Sequence, residues 1–150
     1  MRRMVLAWLL SSILPSADAS MVIDGTRIVF PGDKKEIAVR ATNVGETPSL
    51  TQVWVDDGRV QNRPEKDSAP FIVLPPIVRI EPGKGQSWRL VFNGSRLPQD
   101  RESLFWFNLL DIPPEPKNGT AINYLQLAIR SRIKLFYRPA GVAAEKIAAE

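Results

Sequence analysis

The segment Tyr124–Pro139 reads Y-L-Q-L-A-I-R-S-R-I-K-L-F-Y-R-P and indicates the fold more clearly than any other part of the chain. Leu125, Leu127 and Ile129 alternate with polar or small residues, which is the two-residue period of a β-strand with one apolar face. The alternation continues up to Pro139, about twice the usual strand length of five or six residues. A strand this long usually extends beyond its own sheet, which leaves part of its apolar row without cover.

The pattern alone allows two interpretations of this row. Alternating Leu and Ile side chains are most often the inward face of a sandwich strand, where they pack into the core. An apolar strand at an exposed edge is instead an aggregation hazard unless a partner covers it. The second interpretation predicts a protein that lends a strand to another molecule.

The first 19 residues have the features of a secretory signal peptide. Arg2 and Arg3 form a basic start, the apolar segment 4–14 follows, and A-D-A at 17–19 offers a cleavage site between small residues. The apolar segment is shorter than the roughly 20 residues that span a membrane, and no later segment predicts membrane insertion. Cleavage after Ala19 would leave one domain's length of chain, which we expect to be exported and soluble.

The composition argues against several classes of function. Histidine and cysteine are both absent, which removes the commonest general base, the Ser-His and Cys-His nucleophile pairs, disulfides and nearly all zinc sites. We therefore expect neither an enzyme nor a cofactor or metal. The net charge is only +4, with 20 basic and 16 acidic residues spread along the chain, so no nucleic-acid partner is predicted.

Short apolar runs, separated by Pro, Gly, Asn and Asp, recur along the chain after the leader. These runs predict strands at 26–30, 36–43, 50–56, 71–74, 77–80, 87–92, 103–112 and 124–139. No convincing helix lies between them. Seven or eight short strands at this spacing predict an all-β fold, an antiparallel β-sandwich.

Two sequence features that sometimes mark a functional site are interpreted as structural. Asp56 and Asp57 are adjacent carboxylates, but Asp57-Gly58 after a strand is typical of a turn. The four tryptophans lie within apolar runs and are assigned to the core, with Trp106 as the one exception considered. No catalytic site is predicted.

Five short motifs resemble the first domain of the periplasmic pilus chaperones, the PapD-like proteins of chaperone–usher systems. They are T-R-I-V-F-P-G-D-K-K-E at 26–36, P-F-I-V-L-P-P at 70–76, R-I-E-P-G-K-G-Q at 79–86, L-P-Q-D-R-E-S-L-F-W-F-N at 97–108 and I-K-L-F-Y-R-P at 133–139. The resemblance covers nearly all of the chain after the leader. It implies an immunoglobulin-like sandwich with a cis proline in L-P-P, and the short connection at 114–124 resembles the branch that serves rod-like pili.

The resemblance also implies a function and assigns residues to it. In this family the pilus subunits lack their last strand, and the long strand of the chaperone fills the resulting groove by strand addition. By position, Leu125, Leu127 and Ile129 would fill the groove, which favours exposure of the row. Arg27 and Lys134 correspond to the pair that binds the C-terminal carboxylate of the subunit, through charge-assisted hydrogen bonds.

Two alternatives concerning this pair follow from the residues themselves. Without the motifs, Arg27 and Lys134 would be interpreted as ordinary surface bases. Strict alternation also places Lys134 on the face opposite Leu125, so a bulge or a strong twist is expected between them.

The implied partners are pilus subunits and an outer-membrane usher, in the periplasm of a Gram-negative bacterium, and the exposed strand also allows self-association. Residues 20–139 would form the domain and 140–150 a linker or tail. The family continues into a second domain, which is expected to be absent here. Glu102 and Arg138 match two members of the family's interdomain ion network, and without the third member Arg138 is expected to be solvent-exposed.

A secreted immunoglobulin-like adhesion or structural module of the pilus itself is the alternative function. A structural subunit would usually carry a cysteine pair and lack its final strand, and this sequence has neither feature.

Overall fold

The computed structural model describes residues 20–59, 69–115 and 125–142. These ranges form nine β-strands and no helix, so they contain no helix able to cross a membrane. In chain order the strands are β1 (Met21–Ile23), β2 (Arg27–Pro31), β3 (Glu36–Asn43), β4 (Ser49–Asp56), β5 (Phe71–Leu74), β6 (Ile77–Ile80), β7 (Gly85–Phe92), β8 (Ser103–Ile112) and β9 (Ile129–Arg138). The predicted all-β sandwich is confirmed, and β1 is the strand that the sequence pattern did not predict.

The strands form two sheets that pack face to face. One sheet has the order β1-β3-β7-β5, and the other has the order β2-β9-β8-β4-β6. All pairings are antiparallel except that of β2 with β9, which is parallel. The chain passes from the first sheet to the second between β1 and β2, where Gly25 has a φ of 100° that favours glycine.

The core lies between the inner faces of the two sheets. Its largest fully buried apolar side chains alternate along their strands, as the sequence pattern predicts; they are Phe30, Trp88, Leu90, Phe107, Leu109 and Leu135. Five aromatic rings pack against one another at one end, with centroid distances of 4.8–6.1 Å: Phe30, Phe71, Phe92, Phe105 and Tyr137. This core fixes β8 and β9 side by side.

The last strand is shorter than the sequence predicted. Regular pairing of β9 begins at Ile129, whereas alternation predicted a strand from Tyr124, a residue outside the described ranges. The physical reason lies in the neighbouring strand, because β8 ends at Ile112 and is followed by Pro113-Pro114. Proline has no backbone N–H, so β8 offers no ladder for the residues that precede β9.

Two further expectations concern one proline peptide bond and the ends of the chain. The peptide bond between Leu74 and Pro75 is cis, as the resemblance implied. Residues 1–19, which carry the predicted leader, and 143–150, which include most of the predicted tail, lie outside the described residues.

Candidate functional site

The strand β9 has two halves that differ in their neighbours. Its second half, Lys134–Arg138, pairs with β2 along its whole length and with β8 up to Tyr137. Its first half, Ile129–Ile133, pairs with β8 alone among the described residues. We call these the covered half and the open half. Within the described part of the chain, one edge of the open half therefore has no strand partner, and such an edge can template pairing with another chain.

The apolar row Leu125, Leu127 and Ile129 is exposed beside this open edge. The exposed fractions of these side chains are 82%, 63% and 52%, whereas Leu135, at the same parity in the covered half, is fully buried. Of the two interpretations, exposure therefore holds for the row itself, and the inward-facing one holds for the later residues of the same parity, beginning with Ile133, which packs against the core. Burying such side chains stabilises a complex by about 1.5–3 kcal/mol each.

The segment before β9 stays close to the end of β8. The side-chain amide of Gln126 donates a 2.7 Å hydrogen bond to the carbonyl oxygen of Pro113. A side-chain bond thus takes the place of the backbone ladder that the two prolines prevent. The segment is held near the sheet while its Leu125 and Leu127 side chains remain in solvent.

Arg27 and Lys134 are brought together at the boundary between the two halves. They are directly opposite each other in the parallel pairing of β2 with β9, and both are exposed. The described residues contain no ion pair with either side chain; the Lys134 ammonium lies 6.0 Å from the centre of the Trp106 ring. The two cations therefore form a site that can donate several hydrogen bonds to one carboxylate.

The expected bulge between Lys134 and the apolar row is not found within β9. Its pairing with β8 runs without interruption from Ile129 to Tyr137, so alternation is conserved along the strand. Lys134 consequently lies on the outer face of the five-stranded sheet, and the Ile129 side chain lies on the inner face.

Glu102 and Arg138 are in contact, at the far end of β9. The Arg138 Nε donates to a Glu102 carboxylate oxygen at 2.6 Å. The expectation that Arg138 is solvent-exposed is wrong, because the side chain is only 30% exposed and Glu102 is 15% exposed. The ion pair with Glu102 holds the Arg138 side chain against the protein surface, which explains this partial burial.

The sequence interpretation missed a buried acid on the outer face. Asp56 is 3% exposed at its side chain, and four donors reach its two oxygens. Oδ1 accepts from the backbone of Gly58 and from Arg132, both at 2.8 Å, and Oδ2 accepts from Asn108 at 2.8 Å and from Arg130 at 3.2 Å. The adjacent Asp57-Gly58 turn exists as predicted, but Asp56 has a second role.

Two tryptophan rings lie beneath the guanidinium groups that bind Asp56. The Arg130 guanidinium lies 5.0 Å above the ring of Trp54, and that of Arg132 lies 4.4 Å above the ring of Trp106. Such cation–π contacts add to the hydrogen bonds. These residues lie at even positions in three strands, and we call them the outer-face cluster: Trp54, Asp56, Trp106, Asn108, Arg130 and Arg132. The only signal for them in the sequence was the set of residues that alternate with the apolar ones.

The described residues contain no group of three or more acidic side chains arranged to hold a metal ion. The features that the described residues do bring together are an open backbone edge, an apolar row and a pair of cations.

Comparison with known proteins relates these features to a family. The profile described as "Pili and flagellar-assembly chaperone, PapD N-terminal domain" matches residues 20–143. The chaperone protein FimB/FhaD of Bordetella pertussis is 45% identical over 149 residues, which are 95% of this chain and 60% of that protein. The chain therefore spans about 60% of the length of this relative.

Solved structures give the same result. The Pseudomonas aeruginosa CupB2 chaperone superposes with a TM-score of 0.74 at 41% identity, over 85% of this chain and 60% of the other. A chain of the Salmonella enterica SafA pilin in complex with the SafB chaperone superposes with a TM-score of 0.73 at 30% identity, over 89% and 62%. The chain described here belongs to the family of the PapD N-terminal domain of pili and flagellar-assembly chaperones.

Proposed function

We propose that this chain is the subunit-binding domain of a periplasmic pilus chaperone, which stabilises pilus subunits by donating a strand. A strand of the subunit would pair with the open half of β9, and Leu125, Leu127 and Ile129 would fill the subunit's apolar groove. The observation that carries this proposal is the free edge at Ile129–Ile133, next to a row of exposed apolar side chains.

The position of β2 defines where an incoming strand must end. The edge of β9 is occupied by β2 from Lys134 onward, so a strand that pairs along the open half cannot continue past this point. If it runs parallel to β9, as β2 does, its C-terminus arrives beside Arg27 and Lys134. A terminal carboxylate there would meet two cations that have no carboxylate partner among the described residues.

The wider setting follows from the relatives. The periplasmic chaperone SfaE superposes on 84% of this chain at 32% identity, which supports export by the leader at 1–19. The family's partners would be pilus subunits and an outer-membrane usher, and its action would be binding without catalysis. As the family resemblance implies, the Glu102–Arg138 pair would contribute to contacts with a second domain.

A strand-addition assay tests the proposal. The probe is a synthetic peptide of alternating Val and Thr residues, with an N-terminal lysine tag for solubility and a free C-terminal carboxylate. We expect it to bind the full chain and to lose binding to Ile129→Asp, because a carboxylate would enter the apolar contact.

The matched control is Ile72→Asp. Ile72 lies on β5 in the other sheet and is 51% exposed, against 52% for Ile129. The control should bind the peptide as the wild type does. If the wild type does not bind, or if both variants lose binding equally, the open half is not the binding site.

A further inference from the structure

We propose that Asp56 is a positioning residue for subunit binding: it holds Arg130 and Arg132 across the sheet and thereby keeps the open edge of β9 clear. This inference rests on the proposed function, because it assigns a role to a residue that never touches the incoming strand. The evidence for this role is the geometry of the outer-face cluster.

The two arginines both lean toward the centre of the sheet. In the register, Asp56 on β4 lies at the level of Lys134. The guanidinium groups of Arg130 and Arg132 therefore reach four and two residues along β9, respectively, and across β8 to contact it. The strand β4 lies beyond β8, on the side of β9 away from the open edge. Both charges are therefore drawn away from the edge where a partner strand would bind.

Asn108 links the two arginines into one network. Its side-chain oxygen accepts hydrogen bonds from Arg130, from Nε at 3.0 Å and from Nη2 at 2.6 Å. Its amide nitrogen donates to Asp56 and to the carbonyl oxygen of Trp106 at 3.1 Å. The network therefore ties β9 to β8 and β4 at the level of the open half, where β9 has no strand on its other side among the described residues.

An untethered arginine would act against strand addition. Charged side chains on an exposed edge are one of the devices by which proteins prevent pairing with other chains. The stems of Arg130 and Arg132 are long enough to swing over the free edge if the carboxylate of Asp56 is lost. Because Asp56 is buried and charged, it keeps both guanidinium groups in place.

The same contacts explain why the open edge of β9 stays accessible to a partner strand although two arginines lie on this part of the strand. Arg130 and Arg132 are 40% and 33% exposed, so each keeps part of its charge in solvent while its direction is fixed. The tryptophan rings beneath them favour this orientation over one that points toward the edge. The binding strand is thus preorganised before a partner arrives.

The test uses three variants of the full chain and the Val/Thr peptide. Asp56→Asn removes the charge but keeps the shape; Arg130→Met with Arg132→Met removes the guanidinium groups and keeps the stems; the third variant combines all three changes. We expect Asp56→Asn to raise the peptide Kd about tenfold, because the fraction of molecules with a clear edge falls to about one tenth. The combined variant should return to within about threefold of the wild type, because no free arginine remains to cover the edge.

If Asp56 only stabilises the fold, the order of the variants by peptide affinity is expected to be reversed. In that case the combined variant, which loses the most contacts, would bind the peptide as weakly as Asp56→Asn or more weakly, and the proposal would be overturned. Hydrogen exchange of backbone amides at 125–133, measured without peptide, should quicken in Asp56→Asn; unchanged exchange and unchanged Kd would also overturn it.

A control variant and two further outcomes distinguish the role of Asp56 from the proposed function of the chain. Glu36→Gln removes the carboxylate of an outer-face ion pair with Arg89 in the other sheet, and should leave the peptide Kd and this exchange unchanged. Absence of peptide binding by the wild type overturns the proposed function and the role of Asp56 with it. Normal binding by Asp56→Asn overturns the role of Asp56 alone.

Discussion

The two halves of β9 share one alternation of residues but differ in the number of strands that flank them. In the covered half, β2 and β8 lie on either side, and Leu135 and Tyr137 are buried. In the open half, β8 is the only neighbouring strand among the described residues, and Ile129 is half exposed. The same pattern therefore builds the core at one end and offers a surface at the other. What a strand does depends on its neighbours as much as on its sequence.

The largest expected effect comes from placing the same charge in the covered half and in the exposed apolar row that precedes the open half. Leu135→Asp should lower the free energy of unfolding by more than about 4 kcal/mol, because it buries an unpaired carboxylate. Leu127→Asp should leave the unfolding free energy nearly unchanged but abolish binding of the Val/Thr peptide. Urea unfolding and peptide titration of both variants measure the contrast. A stable Leu135→Asp, or an unstable Leu127→Asp, would break the distinction between the halves.

The next effect concerns the cluster that supports the open half. Asp56→Ala should lower the free energy of unfolding by about 3 kcal/mol, near the low end for a broken buried pair, because both arginines are partly in solvent. Asn108 and the backbone of Gly58 would lose their acceptor as well. Urea unfolding measures the loss. A change as small as that of an exposed surface substitution would show that the network contributes little to the stability of β9.

A smaller effect is expected at the boundary between the halves. Arg27→Ala and Lys134→Ala should each weaken peptide binding by about 1.5–3 kcal/mol, the value of a hydrogen bond to a charged group. A peptide with an amidated C-terminus should bind the wild type with a comparable loss. Calorimetric titration compares the two peptides. Equal affinity for both would show that the terminal carboxylate is not the group bound here.

The smallest effect lies in the other sheet, far from β9. The hydrogen bond from Arg89, at 2.5 Å, holds the pKa of the Glu36 carboxyl below its ordinary value. A carboxyl whose pKa is lowered on folding stabilises the protein above its unfolded pKa, and this contribution is lost as the pH falls through the lowered value. Glu36→Gln should therefore reduce stability slightly at pH 7 and not at strongly acidic pH.

Urea unfolding of the wild type and of Glu36→Gln at both pH values checks this prediction, and peptide binding serves as the control. A difference that grows toward acidic pH would contradict the sign. A change in peptide affinity at pH 7 would show that the two sheets are coupled, which the comparison of the halves does not predict.

Several features could be predicted from the sequence because they depend on local alternation and turn chemistry. The bounds of β3, β5, β6 and β8 follow from runs of alternating apolar residues that end at Pro, Gly, Asn or Asp. The candidate site residues Leu125, Leu127 and Ile129 could be named in the same way. β1 was missed because three residues are too few to show a period.

Other features required the neighbours of each strand to be known. The start of β9 at Ile129 depends on where β8 ends, and the partial burial of Arg138 depends on Glu102, which lies 36 positions earlier in the chain. Asp56 was interpreted as part of a turn because its partners come from β8 and β9, which are 50 or more positions away in the chain. A pattern within one strand contains no information about such partners.

The sequence by itself determined which residues alternate, where the chain turns and which side chains are available at each face of each strand, because these properties are set by the local backbone and by residue type. Only the tertiary structure decided which part of the alternating row is buried, that Arg27 meets Lys134, and that Asp56 holds two arginines. These depend on which strands pair and where each pairing stops, and β2 covers β9 only from Lys134 onward. Along the row parity of β9, Ile129 is half exposed and Leu135 is fully buried, and the reach of one neighbouring strand accompanies this difference.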